Sequence, residues 1–180
     1  REDELGRRSN GPKSPGTGDG VLGVRWIEIT PVTVAVAFGS NLGDRRAHLD
    51  WAVERLRGLL SDLRVSAFIE TDPVDVPDDQ PAYLNGVVVG KTPLDPDALL
   101  ERLHALERER GRERRSFRAA RTLDLDLILY GDLVRDTATI QIPHPRFRER
   151  AFVLAPLAEL APDMRDPVTG KRVRDLVRLP

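Results

Sequence analysis

No cysteine occurs among the 180 residues, which excludes disulfides, thiolate metal sites and cysteine nucleophiles and is compatible with a reducing compartment. Aromatic residues are scarce at 5%, and no apolar run approaches the roughly 18 residues of a membrane span. The N-terminus has no apolar stretch of the kind a secretion signal needs. An excess of one charge is missing too: the net value is −1, which gives little of the long-range attraction used in non-specific nucleic-acid binding. These absences point to a cytoplasmic protein that has neither membrane nor nucleic acid as a partner and that holds any metal by oxygen or nitrogen. With 40% hydrophobic residues, a chain of 180 can bury one proper core, but two full domains are not expected.

Residues 1–20 are dominated by Gly, Ser, Pro, Arg and Asp, so residues 1–30 are expected to be a disordered tail or linker and 31–180 the folded domain. The chain begins at Arg1 without methionine, and the short extended-looking "VRWIEIT" (Val24 to Thr30) precedes the first convincing strand. A fragment of a longer polypeptide, or a processed or engineered start, fits that pattern. No internal repeat is visible.

From Val32 the elements follow quickly. "VTVAVAF" reads as a strand and "GSNLGD" as a turn into a helix, in which Leu49, Ala52, Val53, Leu56, Leu59 and Leu60 recur at helical spacing. "LRVSAFIE" and "AYLNGVVVG" read as two strands separated by the loop "TDPVDVPDDQP". A second helix follows, with Asp95 as N-cap, Pro96 at its first position, Leu99, Leu103 and Leu106 on one face and Gly111 ending it. A fourth strand spans Thr122 to Tyr130, and "IPHPRFRERAFVLAPLAELAP" supplies a loop and a short helix before a turn-rich tail. This order predicts an α+β fold, the ferredoxin-like βαββαβ antiparallel sheet with both helices on one face and a C-terminal extension.

The fourth strand raises a chemical question, because "RTLDLDLILYG" sets two carboxylates among apolar residues. Strand alternation puts Leu123, Leu125, Leu127 and Leu129 on one face and Thr122, Asp124, Asp126 and Ile128 on the other. The leucines are expected to meet the helices, leaving the aspartates on the uncovered side. Side chains at i and i+2 lie about 6.5 to 7 Å apart, close enough to grip two divalent cations roughly 3.5 to 4 Å from each other. The bland alternative is a pair of solvated aspartates, each meeting an arginine on the open face of the sheet. Seven arginines between Arg108 and Arg121 precede the pair, and cations beside metal-gripping carboxylates suggest a polyphosphate.

Five stretches in order, "FGSNLGD", "DDQPAYLN", "ERERGRERR", "RTLDLDLILYGD" and "IPHPRFRERAFVLAPLAEL", resemble the 6-hydroxymethyl-7,8-dihydropterin pyrophosphokinases of folate biosynthesis. The resemblance covers about Val32 to Pro162. It implies transfer of the β,γ-diphosphate of ATP to the pterin hydroxymethyl oxygen, with release of AMP and two magnesium ions as cofactors. Asp124 and Asp126 would hold both ions. Arg112 and Arg121 would act with them in catalysis, and Glu107, Arg112, Arg114, Arg121, His144 and Arg150 would meet ATP. Asn85 matches the amide that reads the pterin ring, Tyr83 sits beside it, and Phe152 matches one stacking aromatic. Thr71, Pro73 and Val74 would line the pterin pocket through their backbone. The family's Trp-Gly-Pro-Arg run is absent, and "SFRAAR" stands in its place, with Phe117 as the candidate for the second ring. A monomer is expected, and fusion to a folate-pathway enzyme upstream is compatible with the linker-like start.

Two rival readings differ in class. The same order of elements serves RNA-recognition domains, but "VTVAVAF" offers one aromatic, Phe38, where such domains stack bases, and Asp124 and Asp126 would repel phosphates without metal. Another magnesium-dependent nucleotide enzyme would share the aspartates and arginines but not Asn85, and would be told apart by releasing ADP in place of AMP.

Overall fold

The computed structural model describes residues 30–73, 80–111 and 121–177. The expected tail therefore falls almost wholly outside the described residues. The elements run β1 (Val32–Ser40), α1 (Arg45–Arg57), β2 (Ser61–Val65), β3 (Ile69–Thr71), β4 (Tyr83–Thr92), α2 (Pro96–Glu109), β5 (Asp124–Tyr130), β6 (Arg135–Asp136), β7 (Gln141–Ile142), α3 (Ala151–Leu160) and α4 (Val173–Leu176). The main sheet has the order β2-β4-β1-β5, with every neighbour antiparallel and β3 also paired to β4. No described helix is long and apolar enough to cross a membrane.

Local chemistry accounts for the helix boundaries. The Asp44 carboxylate accepts from Ala47 N at 3.0 Å to start α1, and Asp95 accepts from Ala98 N at 2.9 Å to start α2, which has Pro96 in its first turn. Just past α2, Gly111 adopts φ +78°, a left-handed conformation that glycine takes without steric cost.

The expected strand "LRVSAFIE" is split. Val65 pairs with Val88 and Ile69 with Asn85, so four steps on one strand face three on β4. Ser66 holds the break: its N–H donates to Val87 O at 2.9 Å and its hydroxyl accepts from Val87 N at 3.0 Å.

Two apolar layers sandwich the sheet. Val34, Val36, Phe38, Leu123, Leu125 and Leu127 meet Leu49, Leu56, Leu99 and Leu103 of α1 and α2. On the other face Ala35, Ala37, Val87 and Val89 meet Phe147 and Val153, Leu154 and Leu157 of α3. This corrects the expectation of an uncovered aspartate face, because α3 lies over part of it. The small side chains at 35 and 37 let the helix approach.

Leu129 is a second correction. It was expected beside the other leucines, yet it belongs to the layer under α3 together with Ile128. The register explains this. Leu127 faces Val36 while Leu129 faces Ala35, so an extra residue of β5 bulges at this point and reverses the alternation.

Behind α3, Asp166 has no exposed surface and receives Arg148, Thr169 and the N–H of Val168. Burial alone would raise its pKa, but these donors hold the carboxyl below its ordinary value. A depressed native pKa contributes stability that is present above the unfolded value, about 3.9, and is lost as pH falls through the native one. Acid melts of Asp166→Asn should therefore show a smaller loss of stability below about pH 4 than the parent protein. Parallel curves would mean that the Asp166 carboxyl is not depressed relative to the unfolded chain.

Candidate active site

The candidate side chains occupy the end of the second face that α3 leaves open. Gly39 of β1 faces Asn85 of β4 on one side and Asp124 of β5 on the other, and one pleat further along Ala37 sits between Val87 and Asp126. Residues directly opposite across a sheet share a face, so Asn85, Asp124 and Asp126 all project from it beside small residues.

Each aspartate meets an arginine. Arg121 Nη1 donates to Asp124 Oδ2 at 2.6 Å, and Arg150 Nη1 donates to Asp126 Oδ2 at 2.9 Å. These side chains are 23% to 31% exposed, so they remain open to a ligand. Burial disfavours the charge on Arg121, but the carboxylate of Asp124 outweighs it and raises the pKa of the guanidinium. His144 Nε2 stands 3.8 Å from Asp126 Oδ2, beyond hydrogen-bond range. Its Nδ1 accepts from Arg146 N at 3.2 Å, which assigns the ring proton of the neutral form to Nε2, facing the aspartate. Burial, aided by Arg150 and Arg146 and opposed by Asp126 and Asp124, lowers the pKa of this imidazole. The N–H of His144 donates to Ile128 O at 2.9 Å, so the bulge in β5 sets the ring's position. A cavity of about 320 Å³ lies against this corner, lined among others by Leu100, Leu127, Thr139, Ile140, Asp126 and His144.

On the β4 side Asn85 is 7% exposed and its Nδ2 donates to the Thr71 hydroxyl at 2.8 Å. Beside the backbone expected to line the pocket, Thr71 brings a side chain that orients the amide. Tyr83 pairs with Thr71 across β3 and β4, and Pro73 is half-buried two residues further along. Phe152 is half-buried at the start of α3, and the guanidinium of Arg150 lies 5.8 Å from the centre of its ring. Val74, Arg112, Arg114 and Phe117 lie outside the described residues. Glu107, expected at the nucleotide, lies inside the fold at the end of α2. It is 2% exposed, and its Oε1 accepts from Leu125 N at 2.8 Å, between the two aspartates. It buttresses the carboxylate strand from inside.

Sequence reasoning missed Asn41. This residue is 1% exposed, its N–H donates to Arg121 O at 3.0 Å, and its Oδ1 accepts from Arg121 N at 2.7 Å. Its Nδ2 donates to Gln80 Oε1 at 3.1 Å, which ties the segment before β4 to the segment before β5. The available signal was an Asn directly after the strand within "FGSNLGD", but nothing in the sequence says that its partners lie 39 and 80 residues away.

The arrangement is that of an α+β domain in which paired carboxylates, arginines and a shielded amide share one sheet face. A model of the family described as 7,8-dihydro-6-hydroxymethylpterin-pyrophosphokinase matches residues 35–162, and the chain belongs to that family. The Pseudomonas aeruginosa 2-amino-4-hydroxy-6-hydroxymethyldihydropteridine pyrophosphokinase is 41% identical over 146 residues, covering 80% of this chain and 89% of that protein. The Bacillus subtilis protein of the same name is 42% identical over 137 residues, or 75% and 81% of the two chains. The folic acid synthesis protein fol1 of Schizosaccharomyces pombe is 37% identical over 148 residues, which cover 81% of this chain but 20% of fol1. Among solved structures, Plasmodium falciparum HPPK-DHPS with pteroate superposes with a TM-score of 0.64 at 15% identity. That likeness shows the fold, and it covers 82% of this chain and 43% of the larger one.

Gly39 gives this geometry a test. A Cβ there would lie 2.6 Å from Asn85 Oδ1, and the amide is held by Thr71, so Gly39→Ala is expected to cost about 1 to 3 kcal/mol. Thermal melts of the variant measure this. An unchanged midpoint would mean that the amide moves aside freely.

Proposed function

We propose that this chain transfers the β,γ-diphosphate of ATP to the hydroxymethyl oxygen of 6-hydroxymethyl-7,8-dihydropterin and releases AMP, a step of folate biosynthesis. The observation that carries the reading is the row Asn85, Gly39, Asp124. Two interstrand spacings, about 9.5 Å between Cα atoms, separate an amide suited to reading a polar ring edge from a carboxylate suited to the phosphate side. Family membership supplies the substrate class.

Magnesium fits the donor set. Asp124 and Asp126 offer hard oxygen ligands on one face, and among the described residues no cluster of three acidic or histidine side chains forms a full protein cage. Mg²⁺ favours such sites, taking one or two carboxylates and completing its shell with phosphate oxygens and water. Bound there, the metal supplies charge neutralisation on the triphosphate; we take the number of ions to be two. Arg121 and Arg150, already beside the aspartates, neutralise and orient the phosphates. His144 donates from Nε2 to a phosphate oxygen. The cavity walled by Leu100, Leu127 and Ile140 suits the nucleobase, because its apolar walls open at Asp126 and His144 where the phosphates would start. Asn85, held by Thr71, orients the pterin with Tyr83 beside it and Phe152 as one stacking ring, and Arg112, Arg114, Val74 and Phe117, the candidate second ring, complete the set that family resemblance assigns. Catalysis is then positioning and electrostatics, without a covalent intermediate.

Strand order and orientation support assigning the sheet to the ferredoxin-like class, counting β2 and β3 as one broken strand. Both halves of the site come from one chain, which supports action as a monomer, and a cytoplasmic setting suits an ATP-consuming reaction. Relatives such as fol1, far longer than this domain, support fusion to a second folate-pathway enzyme.

Incubation with ATP, magnesium and the hydroxymethyl pterin should yield AMP and the pterin diphosphate. Release of ADP, or no product from folded protein, would remove the reading. Asn85→Ala should weaken pterin binding by about 1 to 3 kcal/mol while sparing ATP, since a buried ring donor or acceptor loses its partner. Calorimetry with each ligand separately checks this, and equal losses would make Asn85 a structural residue.

A further inference from the structure

The turn after α3 takes no part in the chemistry proposed above, yet it surrounds a fully buried carboxylate. Arg148 Nε and Nη2 donate to Asp166 Oδ2 and Oδ1 at 2.8 and 2.6 Å. Thr169 Oγ1 adds a bond of 2.6 Å and Val168 N one of 3.1 Å. The backbone of Asp166 closes the same turn, since its N–H donates to Lys171 O at 2.9 Å and its carbonyl accepts from Gly170 N at 2.8 Å. A two-pronged guanidinium–carboxylate contact fixes angle as well as distance, so the turn is a rigid socket for Arg148.

Arg148 lies in the middle of the short 3-10 turn Phe147–Glu149. Three residues before Phe147, the N–H of His144 is tied to Ile128 O, and Phe147 itself is buried in the layer under α3. His144 and Arg150 flank this turn, and both approach the same atom, Asp126 Oδ2, at 3.8 and 2.9 Å. Arg148 faces the socket in the C-terminal turn. The segment is therefore pinned at its start by the bulge and in its middle by Phe147 and Arg148, while its two site residues reach Asp126.

We propose that Arg148 and Asp166 are positioning residues: the C-terminal turn holds the 144–150 segment so that His144 and Arg150 meet a nucleotide phosphate beside Asp126. The inference rests on the functional reading given above. A misplacement of about 1 Å in such a constellation can cost on the order of a hundredfold in rate, so a distant ion pair can govern it.

The test uses the full chain with Asp166→Asn, Arg148→Met, Arg148→Lys and the milder Thr169→Val. Amide hydrogen exchange in the unliganded protein reads the segment directly, and separate titrations with a magnesium-loaded non-hydrolysable ATP analogue and with the pterin read its consequence. Asp166→Asn is expected to speed exchange at Phe147 and Arg150 relative to Ala35 and Val87. It should also weaken the nucleotide by about tenfold, 1.4 kcal/mol, with pterin affinity within about twofold of the parent. Arg148→Lys should recover part of what Arg148→Met loses, since it restores charge without the fork. If Asp166→Asn fails to fold, Thr169→Val carries the test, with about a threefold loss of nucleotide affinity expected from one missing bond. Unchanged exchange in the segment, or equal loss of both ligands, overturns the inference. Variants that bind the nucleotide as well as the parent remove this inference alone, whereas a parent chain that binds no nucleotide removes the functional reading and this inference together.

Discussion

The extra residue in β5 is the constraint on which the site depends. Through Leu127 the strand alternates leucine toward α1 and α2 with aspartate toward the opposite face. That opposite face must also support α3, and it does so because the bulge turns Leu129 over to join Ile128 in the second layer. One strand thus presents carboxylates at one end and an apolar floor at the other on the same side. The bulge also frees Ile128 O to receive the N–H of His144, so the irregularity that builds the second core docks the 144–150 segment as well.

The cost of two like charges on one strand is offset locally. Arg121 covers Asp124 and Arg150 covers Asp126 at the sheet's open end. Half-exposed pairs of this kind contribute little to stability. The polar groups that fix the frame behave differently. Asn41, Glu107 and Asp166 are at most 2% exposed, and each satisfies backbone donors or fixed side chains. Charge stays at the rim, while buried polar groups hold the loops and the strand that carry it.

Much of this was legible along the chain because it depends on neighbours within a few residues. The caps Asp44 and Asp95, the apolar stripes of α1 and α2 and the alternation of Leu123 to Leu127 are encoded by periods of 3.6 and 2. The aspartate pair and the arginines stood out because charged residues on a buried strand need a partner. What failed was what depends on register. Leu129 lies on the face opposite to the one a strict period of two implies, because a strand period has no memory of an extra residue, and "LRVSAFIE" is interrupted because Ser66 bonds to Val87, 21 positions away.

Reading along the chain suffices for the two main helices with their N-caps, the clustering of arginine before two aspartates and the family to which these stretches belong. Each of these follows from local propensity, periodicity or contiguous motif. The tertiary structure decided which side chains share a site. Gly39 brings Asn85 and Asp124 into one row, Asn41 joins Gln80 to Arg121, Glu107 accepts from Leu125 N between the two aspartates, and Asp166 reaches back to Arg148. Those relations are set by strand register and by two faces of the sheet competing for cover. Both are balances among residues far apart in the chain, and no local pattern records them.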